Sequence, residues 1–147
     1  MYSRILVTLE HTPTDERILA HVQKLAHFCH ASVVLIHVAD GWAARYADSL
    51  ALRESEEMRE DRAYLERRRA ELAADGLSVD ALLASGDPAK EITEAAEREH
   101  VDLIAMATHG HGFVNDIIRG SVANTVRHKT PIPVLLVRVE GKGKKEE

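Results

Sequence analysis

Short apolar runs alternate along the chain with longer stretches in which apolar residues recur every three or four positions. Ile5-Leu6-Val7-Thr8-Leu9 opens the series, and its branched side chains predict a strand buried on both faces. In the next segment Thr12 suits an N-cap, Pro13 the first helical position and Asp15 an acidic third position. Ile18, Val22, Leu25 and Cys29 then form one helical face. Ser32 to Val38 reads as a second buried strand. After a less regular stretch, Ala39 to Leu52, the segment Glu54 to Asp75 is densely charged, with Met58, Tyr64, Leu65 and Leu72 as its sparse apolar positions. That pattern predicts a solvated amphipathic helix closed by Gly76.

Leu77 to Ala84 is a third strand, and Asp87-Pro88 caps and starts a helix whose inner face is Ile92 with Ala95 or Ala96. Val101 to Ala107 is a fourth strand, followed by a glycine- and histidine-containing loop from Thr108 to Asn115. A helix is expected over about Gly120 to Lys129, with Val122 and Val126 on one side, and Pro133 to Val139 is a fifth strand. Strands and helices therefore alternate throughout, which predicts an α/β domain, a parallel sheet with helices on both faces. Residues 1–140 read as one domain, and the glycine- and charge-only tail Gly141 to Glu147 as disordered.

Composition narrows the partners. The formal net charge of −5 gives no global attraction to nucleic acid or to an anionic membrane face. No apolar run approaches the roughly 20 residues of a membrane span. The one cysteine, Cys29, permits no internal disulfide and points to a reducing, cytoplasmic setting. Cys29 itself fits the inner face of its helix.

Ligands of open α/β sheets bind beyond the carboxyl ends of the strands, where the winding reverses. Two loops are equipped for this: Glu10-His11-Thr12 after the first strand, and Ala107-Thr108-His109-Gly110-His111-Gly112 after the fourth, leading to Gly120-Ser121. Gly110 and Gly112 allow close approach to backbone. Gly120-Ser121, expected at a helix start, would offer N–H groups, a hydroxyl and the positive dipole end to a phosphate. Each feature taken singly also serves an ordinary turn or cap. Neither a G-x-x-x-x-G-K-[ST] loop nor a G-x-G-x-x-G after the first strand is present. His109-x-His111 and the pair His27/His30 lack the third ligand and cysteine pair of a metal site, so no metal centre is assigned. No Ser/His/Asp or Cys/His order marks a catalytic site.

The combination is more specific than its parts. Met106-Ala107-Thr108-His109-Gly110, nine residues, Gly120-Ser121 and then Pro131 to Val137 resemble the carboxyl-terminal signature of universal stress proteins. Ile5-Leu6-Val7 with a following acid, Leu35-Ile36-His37-Val38, and Gly86-Asp87-Pro88-Ala89 with Ile92 resemble further parts of that family. The resemblance covers about residues 3 to 139. It implies a Rossmann-like sheet of five strands in the order 3-2-1-4-5, and a homodimer formed through Pro133–Val139. It also implies ATP, with Mg²⁺, in the cleft after strands one and four, at Glu10, Thr12, Val38, Ala107, His109, Gly110, Gly120 and Ser121. Gly110, Gly120 and Ser121 would hold phosphates, and Glu10 and Val38 would meet adenosine. ATP-binding members have glycine where this chain has Ala107, and usually aspartate where it has Glu10. Two readings therefore stand: a nucleotide-linked stress regulator, and a nucleotide-free dimeric scaffold acting through an unidentified protein partner. An enzymatic role would amount to slow ATP hydrolysis, since no dedicated general base is in evidence.

Overall fold

The computed structural model describes residues 1–40, 56–109 and 116–139, with side-chain surroundings in the last segment from residue 122 onward. The irregular stretch after residue 40, the loop beginning at Gly110 and the charged tail lie outside the described residues. The elements are β1 (Arg4–Thr8), α1 (Asp15–Cys29), β2 (Ser32–Asp40), α2 (Glu56–Ala74), β3 (Val79–Gly86), α3 (Pro88–Arg98), β4 (Leu103–His109), α4 (Asp116–Lys129) and β5 (Val134–Val139). All strand pairs are parallel, in the order β3-β2-β1-β4-β5, so β1 lies between β2 and β4 as the cleft requires.

Because side chains alternate along a strand, β1 sends its residues to two cores. Ile5 and Val7, with Leu9, join Ile18, Val22, Leu65 and Leu72 beneath α1 and α2. Leu6 joins Val34, Ile92, Ala96, Ile104 and Val126 beneath α3 and α4. Two helices therefore cover each face, and the central strands read as unbroken apolar runs because both faces are buried. Cys29 packs against the first core, partly buried.

Several boundaries differ from the sequence pattern. The strands β2, β3 and β4 each run two residues past their apolar runs, ending at Asp40, Gly86 and His109. Parallel backbone pairing carries them on, with Asp40 opposite Gly86 and His109 opposite Val139. Helix α1 is capped at Thr14, which makes no side-chain cap bond. Thr12 contributes only its carbonyl, accepting from Asp15 N–H at 3.0 Å. The carboxylate of Asp15 instead reaches back to the N–H groups of Glu10 and His11, both at 2.9 Å. Helix α4 begins at Asp116, so Gly120 and Ser121 lie one turn inside it and the free N–H groups of its start precede them. Asn115-Asp116 is a residue pair that favours a helix start, and it outranks the glycine four positions on.

Asp87 behaves as expected: its side chain accepts from Lys90 N–H at 3.0 Å, with Pro88 at the first helical position. Helix α2 carries few apolar residues, and its buried positions are Tyr64, Leu65, Arg68 and Leu72. Arg68 is held by Glu16 of α1 at 2.6 Å and by Glu71 at 3.0 Å. No helix among the described residues is long and apolar enough to cross a membrane.

Candidate functional site

A cleft of about 530 Å³ opens over the carboxyl ends of β1, β2 and β4, within the usual size of small-molecule sites. Its apolar lining comes from Ile36, Val38, Ala39, Ile92, Met106, Ala107 and Val122. Glu10, His11, His37 and the α2 residues Glu57, Glu60 and Asp61 supply the polar wall. Of the site residues read from the sequence, Glu10, Val38 and Ala107 line this cleft together. His109 joins them through Glu10. Thr12 is turned to Thr14, with the two hydroxyl oxygens 2.5 Å apart. Gly110 lies outside the described residues, and Gly120 and Ser121 are placed only as helix backbone.

Glu10 is fixed from two sides. His109 Nε2 donates to its carboxylate oxygens at 3.0 and 2.9 Å, and the Thr14 hydroxyl donates at 3.1 Å. Since Thr14 has one proton, the short contact with Thr12 is a donation from Thr12. The His109 side chain is 1 % exposed and that of Glu10 17 %. A pair this sheltered from water interacts more strongly than a surface pair. It joins the loop after β1 to the end of β4.

A second network, absent from the sequence reading, joins the same loop to α2. His11 Nδ1 lies 2.6 Å from Asp61 Oδ1, and its ring stacks on Tyr64 at 4.0 Å between centroids. The Tyr64 hydroxyl donates to Asp15 at 2.6 Å. Burial, reinforced by that bond to a carboxylate, pushes the Tyr64 phenol well above its ordinary range. Asp15, 1 % exposed, thus accepts from two backbone N–H groups and one phenol. His37 donates from Nδ1 to Leu9 O at 2.8 Å and holds Nε2 at 3.5 Å from Asp61 Oδ2. His11 takes a left-handed backbone, φ 61°, a conformation glycine adopts at least cost. Asp61 and Tyr64 are about fifty residues away from His11 and Asp15 in sequence, and no local spacing signals them.

His27 and His30 form no ligand pair. His27 Nε2 lies 2.6 Å from Asp75, while His30 ends α1 in a left-handed conformation. Among the described residues, no group of three histidine, cysteine or acidic side chains is arranged to hold a metal ion.

The universal stress protein family model matches residues 1–138. Universal stress protein MJ0577 of Methanocaldococcus jannaschii is 30% identical over 94% of this chain and 96% of its own. Its solved structure superposes with a TM-score of 0.80 over 97% of this chain and 99% of that one. A universal stress protein of Thermus aquaticus is 34% identical over 94% of this chain and 100% of its own. The universal stress protein of Archaeoglobus fulgidus in complex with dAMP, 21% identical, shares the fold with a TM-score of 0.67, covering 92% of this chain and 97% of that one. With the five-strand order, the two-sided helical cover and a family match over nearly its whole length, this chain belongs to the universal stress protein family.

Proposed function

We propose that this protein is a nucleotide-linked regulator that binds ATP, with Mg²⁺ on the phosphates, in the cleft over β1, β2 and β4. The observation that carries the reading is the cleft itself: an apolar slot over the strand ends with the Glu10 carboxylate immobilised between the loop after β1 and the end of β4. A flat base suits the slot between Val38 and Met106, and a carboxylate that only accepts hydrogen bonds suits ribose hydroxyls or a base amine. Charge gives the direction. Helix α2 packs against β2 and β3, whereas α4 packs against β4. The acidic residues Glu57, Glu60 and Asp61 therefore repel phosphates from the β2 side, while the N-terminal end of α4 attracts them on the β4 side. Gly110, Gly120 and Ser121 would serve the phosphate end. The dAMP complex of the Archaeoglobus relative supports an adenine nucleotide as the ligand class.

The nucleotide-free scaffold draws on a specific observation too. Glu10 already accepts from His109 and Thr14, and alanine, not glycine, lines the cleft at position 107. In either reading residues 1–140 act as one unit and pair with a second copy through β5. Mass spectrometry of the denatured protein as purified, with calorimetry on MgATP, separates the two. Co-purified adenine nucleotide, or MgATP binding that is lost in Val38→Asp, supports the regulator. Absence of both in folded protein sinks it.

A further inference from the structure

We propose that His11, oriented by Asp61, reads the 6-position of the bound purine and makes the site prefer a 6-amino base to a 6-oxo base. The inference rests on the nucleotide reading above and adds the residue that sets base choice. Repulsion of the phosphates by the α2 carboxylates puts the uncharged base on the β2 side, against α2, and His11 lines the cleft beside Asp61 and His37. The Asp61 carboxylate only accepts, so the 2.6 Å contact fixes a proton on His11 Nδ1. With that one proton on the ring, Nε2 is the acceptor nitrogen, and Asp61 does not engage it. An exocyclic amine can donate to it, whereas a 6-oxo group presents lone pairs to a lone pair.

His11 is held in place by three ring contacts and one backbone contact. Tyr64 stacks on its face at 4.0 Å, Asp61 fixes Nδ1, and His37 meets it edge-on at 6.2 Å between centroids. The backbone N–H is bound to Asp15 at 2.9 Å. Such restraint is what holds a non-glycine residue at φ 61°, a conformation that persists only where the surroundings over-determine it. A ring immobilised at the wall of a ligand cleft loses little freedom on binding, so its hydrogen bond contributes to selectivity at low entropic cost. The side chain remains 32 % exposed, and it therefore supplies one ordinary hydrogen bond of discrimination.

The experiment is calorimetry of MgATP and MgITP, which differ at the 6-position, on the parent and two variants. The parent is expected to bind MgATP about tenfold more tightly than MgITP, the scale of one net hydrogen bond. His11→Gly suits the left-handed backbone and should bring the ratio to about one, chiefly by weakening ATP. Asp61→Asn keeps the ring but allows either tautomer, and should cut the ratio by at least about half. It also tests the proposal without touching the strained backbone. A parent that binds both nucleotides equally, or a ratio unchanged in both variants, overturns the base-reading role and leaves nucleotide binding standing. A parent that binds neither overturns the nucleotide reading and this inference with it.

Discussion

His109 Nε2 and Glu10 Oε2, 99 residues apart in sequence, meet at 2.9 Å. The imidazole is 1 % exposed, so removing it opens a buried space and strips a carboxylate of its main donor. His109→Ala should destabilise the fold by about 2 to 3 kcal/mol, from lost packing and a lost charge-assisted bond together. Thr14→Val removes the weaker donor and should cost about 1 kcal/mol. Urea denaturation of both variants checks the order. A smaller loss for His109→Ala than for Thr14→Val would mean that the pair contributes little.

Asp15 is the buried acceptor for Glu10 N–H, His11 N–H and the Tyr64 hydroxyl. Tyr64→Phe keeps the ring that stacks on His11 and removes one donor, so a loss of about 1 kcal/mol is expected. Asp15→Ala orphans all three donors at once and should cost about 3 kcal/mol or more. Thermal melts of the two variants should show that ranking; equal losses would locate the stability in the Tyr64 hydroxyl bond alone, with the two backbone bonds contributing nothing.

The sheet was legible because each central strand is apolar on both faces, as Ile5 to Val7 and Val33 to Ile36 illustrate. The strand ends were not, because Asp40 and His109 are placed by backbone pairing that polar side chains do not announce. Glu10, Val38 and Ala107 were legible as neighbours because parallel topology brings strand ends together, and all three line the cleft. Asp61 and Tyr64 were not: they read as one charge on a wet helix and one core ring. Only the docking of α2 turns them toward His11 and Asp15. Arg68 escaped notice for the same reason, being buried through partners on α1.

Asp102 ties the start of β1 to the start of β4. Burial pushes its carboxyl up, but the N–H groups of Arg4 and Ser3 and the Ser3 hydroxyl outweigh this and hold it below the usual carboxylate range. A depressed folded pKa means the contribution is present above the unfolded value and is lost as pH falls through the folded one. Asp102→Asn should therefore cost about 1 kcal/mol at neutral pH. That difference should shrink below about pH 4, where the parent carboxyl takes up its own proton. Denaturant titrations at pH 7 and pH 3 test it, and a gap that widens on acidification would refute the sign.

Leu136 is 44% exposed on β5, the last strand in the sheet order. An apolar, unpaired edge favours association with a second copy. Sedimentation should find the parent as a dimer at micromolar concentration, and Leu136→Asp shifted toward monomer with its far-ultraviolet dichroism unchanged. A monomeric parent would remove the proposed β5 interface.

Ala107 and Gly120 test the phosphate end. Ala107 sits on β4 opposite Val137; it packs against the first core and is among the residues that line the cleft. Ala107→Gly should lower stability by up to about 1 kcal/mol, through added freedom in a strand. The same substitution restores the glycine of ATP-binding members, so MgATP should bind more tightly if that methyl group hinders the ligand. Gly120→Val places a branched side chain one turn inside α4, beside the helix end proposed to receive phosphate, and should abolish MgATP binding. Calorimetry on both variants, with melting temperatures as the fold control, gives separate answers. Weaker binding in Ala107→Gly would mean that the methyl group packs against the nucleotide. Binding that survives Gly120→Val would move the phosphates away from α4.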